Sequence, residues 1–313
     1  MWVTAAFDGT ATNFPSGRGN ADFSSYSLTG RAECAKKGTA YINIFMYVIR
    51  EFEDALDDCK SNCINCNDDP VHAWDEGVAF YAGSLEGEDG IPSGKLLHQL
   101  ADKRCANFDT CTDLEKTKSK VNSELLNLFN VGQGQLQAGM CEEARITKNK
   151  VADIMYIPLI QGTLRYAYKV DKLSGGEKEK AEGAVFAAAV LPRIHAADTD
   201  AAATIYDNMR VGASSTDHKA VKKAFEKTYE ALNIQCSDVG GLLDKTGSAY
   251  YDGMAPCKDK GSGVGKGGIV GIVFGSAASA IALGAFGYIM YMRKRERSGN
   301  PVFKASDKPA EYS

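Results

Sequence analysis

Residues 267–292 form a run of 26 without a charged side chain, and Arg293-Lys294-Arg295-Glu296-Arg297 follows at once. A helix rising ~1.5 Å per residue needs about 20 residues to cross ~30 Å of hydrocarbon, so this run spans a bilayer with some tilt. Basic residues flanking a span stay on the cytoplasmic side, which places 293–313 in the cytosol and 1–266 outside. Lys258, Lys260 and Lys266 reduce the asymmetry without reversing it. Gly271 and Gly275, and separately Ser276, Ala280 and Gly284, recur four residues apart and would let two spans approach closely, so a homodimer through the span is expected.

All nine cysteines precede the span. Disulfides persist in oxidising compartments, so cysteines confined to one side read as an extracellular ectodomain. Cys59, Cys63 and Cys66 have zinc-like spacing, but no second Cys or His pair follows at the distance a structural zinc site wants. The segment Met1-Trp-Val-Thr-Ala-Ala-Phe-Asp8 lacks the basic and apolar regions of a signal peptide, so the natural start is expected upstream. Lys and Arg number 36 against 40 Asp and Glu, and this balance gives no field for nucleic acid.

The fold expected is all-α: disulfide-stapled helical bundles in two related halves, plus one C-terminal transmembrane helix. Residues 1–38 are rich in Gly, Ser, Thr and Asn and read as a loop-rich N-terminal remnant. Apolar residues then recur at helical spacing, with Ile42, Phe45, Ile49, Phe52 and Leu56 on one stripe and Val71, Trp74, Val78, Tyr81 and Leu85 on the next. Further helices are expected at 94–103, 118–137, 142–169, 176–194, 198–208 and 216–232. Glu76–Gly83 aligns loosely with Gln161–Tyr168, which suggests a pseudo-repeat of about 40–140 and 141–236 within a helical ectodomain of 39–236. Residues 237–266 read as a Gly/Lys-rich stalk before the span and the tail.

Three groups of side chains carry chemistry. His72, Asp75 and Glu76 stand beside the apolar stripe of their helix, and an imidazole with two carboxylates within a turn and a half suits a hard or borderline metal. Glu53 flanks the stripe of the preceding helix beside Arg50, and could complete a carboxylate site in the bundle interior. Arg165 and Tyr166 come from the 142–169 helix, and Glu182, Arg193 and His195 from the next. Phenolate oxygen binds ferric iron strongly and a guanidinium matches a planar oxyanion, so these residues suit an anion-assisted ferric site. The expected site is therefore His72, Asp75, Glu76, Glu53 and Tyr166 as metal ligands, with Arg165 and Arg50 toward the anion. No Gly-x-Ser-x-Gly elbow, phosphate loop, His-Glu-x-x-His or dinucleotide fingerprint is present, which argues against an enzyme. In the tail, Asn300-Pro301-Val302-Phe303 is a turn ending in an aromatic, the form read by endocytic adaptors.

Five stretches together carry a resemblance: Tyr47-Val-Ile-Arg-Glu-Phe-Glu-Asp54, Val71-His-Ala-Trp-Asp-Glu-Gly-Val-Ala-Phe-Tyr-Ala-Gly-Ser-Leu-Glu-Gly87, Leu100-Ala-Asp-Lys-Arg-Cys105, Ile157-Pro-Leu-Ile-Gln-Gly-Thr-Leu-Arg-Tyr-Ala-Tyr-Lys169 and Ala187-Ala-Ala-Val-Leu-Pro-Arg-Ile-His195. Over roughly residues 20–257 the chain resembles the low-iron-inducible, iron-assimilating periplasmic proteins of algae, and its span and tail make it similar to the membrane-anchored phytotransferrins of diatoms. The resemblance implies a protein induced by iron starvation that binds Fe(3+) with carbonate as synergistic anion, sits at the plasma membrane and cycles to endosomal vesicles. It implies no residue-level ligand set. The competing readings are a metal-dependent ectoenzyme or ferrireductase partner, and a structural or adhesion surface protein.

Overall fold

The structure, a computed structural model, describes residues 1–15, 19–61, 69–83 and 96–258. The apolar run 267–292, the Asn300-Pro301-Phe303 motif, Cys63 and Cys66 lie outside these residues. Among those described, no helix is long and apolar enough to cross a membrane.

The described residues form helices, with three isolated bridges in the connecting segments and no strand among them. The stretch 1–38, expected to be loop-rich, carries two helices, α1 (Trp2–Asp8) and α2 (Leu28–Gly38). They have little 3.6-residue periodicity because, Trp2 apart, what they bury is small: Ala5 and Ala6 from α1, and Gly30, Cys34 and Gly38 from α2. At Gly38 the backbone continues without a break into a π-helical turn, Thr39–Ile44, and then into α3 (Phe45–Lys60). The wider π turn shifts the helical register, so the stripe that α3 buries is Phe45, Val48, Phe52, Ala55, Leu56 and Cys59.

Helix α4 (Pro70–Ala82) begins where Asp69 accepts hydrogen bonds from the backbone N–H of Val71 and His72, with Pro70 in the first turn where its missing N–H costs nothing. It ends at Gly83, whose φ of 63° stops the helix. Helices α5 (Leu96–Phe108) and α6 (Lys120–Gln137) follow. The periodic run 142–169 is two helices, α7 (Cys141–Met155) and α8 (Ile157–Lys172). Pro158 explains the break, because proline fits only the first turn of a helix and disfavours helical backbone just before it. Then come α9 (Glu177–Ala197), α10 (Thr199–Met209), α11 (His218–Thr228), a short 3₁₀ turn at Glu230–Leu232 and α12 (Cys236–Val239).

Helix α8 is the axis of the molecule. Every residue from Ile157 to Leu164 is buried, as the neighbours α5, α7, α9, α10, α11 and α12 require. The main core runs without interruption from Phe45 through Trp74, Leu125 and Leu159 to Met254. It does not divide near residue 140, so two separate bundles are not established. Two places in the aligned segments share one local feature. Gly77 in α4 and Gly162 in α8 each stand four residues before a buried tyrosine, Tyr81 or Tyr166, and each admits a phenylalanine ring so closely that an added Cβ would lie 2.6 Å from Phe52 or 2.7 Å from Phe186. A second, smaller core joins Trp2, Phe23 and Cys34 to Ala181, Ala184 and Val185 of α9.

Cys59 pairs with Cys141, Cys105 with Cys111 and Cys236 with Cys257. The first pair commits Cys59 to a disulfide and removes it from a zinc set with Cys63 and Cys66. The last folds residues 237–258 back onto the main core, where Val239, Leu242 and Met254 are buried, so this part of the expected stalk belongs to the globular unit.

Candidate metal centre

Four elements converge around Phe186 of α9. Its ring is stacked on Tyr41 from the π-helical turn (centroids 5.0 Å apart, planes 21° apart) and on Tyr166 from α8 (5.7 Å, 13°). Gly162, one turn before Tyr166, makes room for this ring. One turn before Phe186, Glu182 is buried, acts on the Tyr166 phenol and lies 3.5 Å from Lys37 of α2. Arg165 and Lys169 lie over the Tyr166 ring at 5.4 and 5.5 Å from its centroid.

Arg104 of α5 completes the group. It falls on the buried stripe Leu97, Leu100, Ala101, Arg104, Cys105 and Phe108, is 8% exposed, and its Nε and Nη1 have no hydrogen-bond partner among the described residues. A buried guanidinium with unmet donors is costly, because desolvation is not repaid. Burial, and then the like charge of Arg165, push its pKa down to about 10. The Tyr41 and Tyr166 phenols are pushed up, each first by burial. For Tyr166 the Glu182 carboxylate adds to the rise, while Arg104 acts downward on both.

The donors are hard oxygens, two phenols and a carboxylate, and the surrounding charge is predominantly positive: Arg104, Arg165, Lys37 and Lys169 against Glu182 and Glu179, the latter 3.7 Å from Lys169. Oxygen donors of this kind suit a trivalent hard ion, and the buried cations suit an oxyanion beside it. A π turn at such a place is a recurrent feature of functional sites.

Of the residues expected from sequence, the structure brings Arg165 and Tyr166 together. His72 and Glu76 also meet, Nε2 to Oε1 at 3.3 Å, with both side chains about half exposed or more. The rest are engaged elsewhere. Asp75 accepts from Gln133 at 2.8 Å, Glu53 is paired with Lys148 and lies 3.6 Å from Arg145, and Arg50 is 2.8 Å from Asp54. The named contacts of Tyr166 include none of the α3 or α4 residues. Tyr41 and Arg104 were not expected. A signal for Arg104 was present, since a charged residue that falls on an apolar stripe, four residues after Leu100, is out of place on a buried face. Tyr41 carried no signal, because the π turn that aims it has no periodicity to read.

No curated protein and no solved structure matches the chain. Residues 7–252 match the family described as low iron-inducible periplasmic protein, a match that takes in α2 through α12 with the Tyr41, Arg104, Tyr166 and Glu182 group. The chain belongs to the low iron-inducible periplasmic protein family.

Proposed function

We propose that this iron-assimilation-related protein binds ferric iron together with a small planar oxyanion, carbonate in the first instance. Tyr41, Tyr166 and Glu182 supply oxygen ligands to the metal, and Arg104 and Arg165 hold the anion. One observation carries this reading: Arg104 is buried with two donor groups unmet, beside two phenols and a carboxylate. An oxyanion meets those donors and lowers the positive charge that a trivalent cation would otherwise face. The iron is cargo, so the centre is built for capture and release and needs no catalytic group.

Delivery forms part of the same proposal. The apolar run 267–292 anchors the chain at the plasma membrane, and Asn300, Pro301 and Phe303 recruit an endocytic adaptor that carries loaded protein to endosomal vesicles. Phe303→Ala should then hold the protein at the surface with iron binding intact; equal internalisation of the two forms removes the motif from the account.

The binding test uses the full chain in detergent, titrated with ferric nitrilotriacetate with and without bicarbonate. Binding should be at least ~10-fold tighter with bicarbonate, and Tyr41→Phe should weaken it while His72→Ala and Glu76→Gln leave it near the parent. Loss of binding in the His72 and Glu76 variants, with Tyr41→Phe unaffected, would move the site to α4.

A further inference from the structure

Away from the iron-binding centre, one donor atom from each of Asp171, Asp217 and His218 lies within 4.8 Å of the others, the one such group of three His, Cys, Asp or Glu residues among those described. The three come from two elements. Asp171 is near the end of α8, and Asp217 caps α11, whose first residue is His218. His218 is 1% exposed. Its backbone N–H and its Nδ1 both meet Oδ2 of Asp171, at 3.1 and 2.5 Å. Asp217 accepts both cap bonds, from Lys219 and Ala220, on Oδ1, which leaves Oδ2 outside them. Lys172 is the competing cation, 3.3 Å from Oδ1 of Asp171 and half exposed.

The other imidazole nitrogen is the informative atom. Nε2 of His218 is buried and has no partner among the described residues. With Nδ1–H donated to Asp171, Nε2 carries a lone pair, and a buried acceptor left unmet costs roughly 1–3 kcal/mol. The ring is held edge-to-face on Tyr168, 4.9 Å between centroids, and Tyr168 is stacked on Tyr251. Bare backbone at Gly253 (φ +71°) comes over Nε2, where a Cβ would lie 3.6 Å away. A carboxylate that fixes one nitrogen while the other is aimed away as a free donor is the arrangement by which proteins orient metal-binding histidines.

We propose that His218, oriented by Asp171 and joined by Asp217, binds a divalent transition-metal ion of the zinc class, distinct from the ferric centre. Imidazole nitrogen with carboxylate oxygen suits zinc, cobalt(II) or nickel(II) rather than a trivalent oxygen-seeking ion. With Asp171 spent on orienting the ring, His218 and Asp217 are the two protein donors, and water fills the remaining positions. Such an ion would tie the end of α8 to the start of α11.

The test titrates the full chain in detergent with Zn²⁺ by calorimetry, and separately with Co²⁺ followed by its visible absorption. The expected result is one equivalent bound, with Zn²⁺ displacing Co²⁺. Asp217→Asn should weaken binding at least ~10-fold, since asparagine keeps the helix cap but loses the charge. Asp171→Asn should weaken it roughly 10–100-fold, the range for carboxylates that orient a ligating histidine. His218→Asn should abolish it; if that variant does not fold, Asp217→Asn decides. His72→Ala and Tyr41→Phe should bind Zn²⁺ like the parent. The proposal is overturned if the parent binds no Zn²⁺ at ~1 mM, if Asp217→Asn binds as the parent does, or if His72→Ala abolishes the signal.

Discussion

Arg104→Met separates stability from function at the proposed centre. Arg104 is buried, and its pKa is pushed down from the ordinary guanidinium value to about 10. Folding therefore opposes the protonated form. A cation whose folded-state pKa is depressed destabilises the fold at every pH below the folded value, and stability is recovered only as pH rises from about 10 toward the ordinary guanidinium value. At ~1.4 kcal/mol per pKa unit the cost at neutral pH is about 3 kcal/mol. Methionine keeps most of the stem's volume and removes the charge, and replacing buried ionic groups by apolar ones of similar size is often neutral or stabilising. The iron-free variant should accordingly be as stable as the parent or up to about 3 kcal/mol more stable, which for a unit of this size is at most roughly 6–12 °C in Tm. The same variant should lose the bicarbonate enhancement of ferric binding. Thermal and urea unfolding of the iron-free full chain, followed by circular dichroism, read the first effect, and chelator competition reads the second. A variant destabilised by more than about 2 kcal/mol that still binds iron with bicarbonate would show that Arg104 is a structural cation, and would refute the reasoning.

Because the Tyr41 and Tyr166 phenols are raised and hold their protons at neutral pH, ferric binding must displace two protons, and affinity should rise by about two decades per pH unit. Between pH 8 and 5 that is a loss of roughly six decades, in the sense an acidifying vesicle would use; Tyr166→Phe should halve the slope, and an unchanged slope would take Tyr166 out of the ligand set. Gly162→Ala should both destabilise the fold by about 1–3 kcal/mol and weaken iron binding, because its Cβ would lie 2.7 Å from Phe186, the ring on which both tyrosines stack; a fully stable variant with normal binding would contradict this. Removing Cys59–Cys141, with a sequence separation of 82, should cost about 4–5 kcal/mol by chain entropy, against about 2 for Cys105–Cys111 at a separation of 6; denaturant midpoints for the two double-alanine variants that reverse this order would overturn it.

The helices were legible where burial imposes a 3.6-residue stripe, as in α3 and α4, and the expected ranges 198–208 and 216–232 contain most of α10 and all of α11, whose starts the Asp198 and Asp217 caps fix in the structure. Helices α1 and α2 were not, because beyond the single Trp2 they bury Ala, Gly and Cys rather than a stripe of large residues. The α7–α8 junction was missed for the opposite reason. Periodicity runs through it, and only Pro158 records the break. At the candidate centre, Tyr166 and Arg165 were legible from the chemistry of their side chains, and Glu182 was among the groups expected nearby. Their assembly was not, since it depends on which helix faces lie against α8. The α4 group looked stronger in sequence because its residues are adjacent along one helix, but proximity in sequence says nothing about the third dimension. There Asp75 and Glu53 take other partners.

The central claim is that two phenolates bind ferric iron beside Arg104. Resonance Raman spectroscopy of the ferric-loaded full chain, excited in its visible absorption band, tests it most directly, because only iron-bound phenolate gives enhanced tyrosine ring modes. Those modes are expected in the parent and in His72→Ala/Glu76→Gln, weakened in Tyr41→Phe and in Tyr166→Phe, and absent from the double variant Tyr41→Phe/Tyr166→Phe. Iron bound without tyrosine modes in the parent, or modes that persist in Tyr41→Phe/Tyr166→Phe, would contradict it.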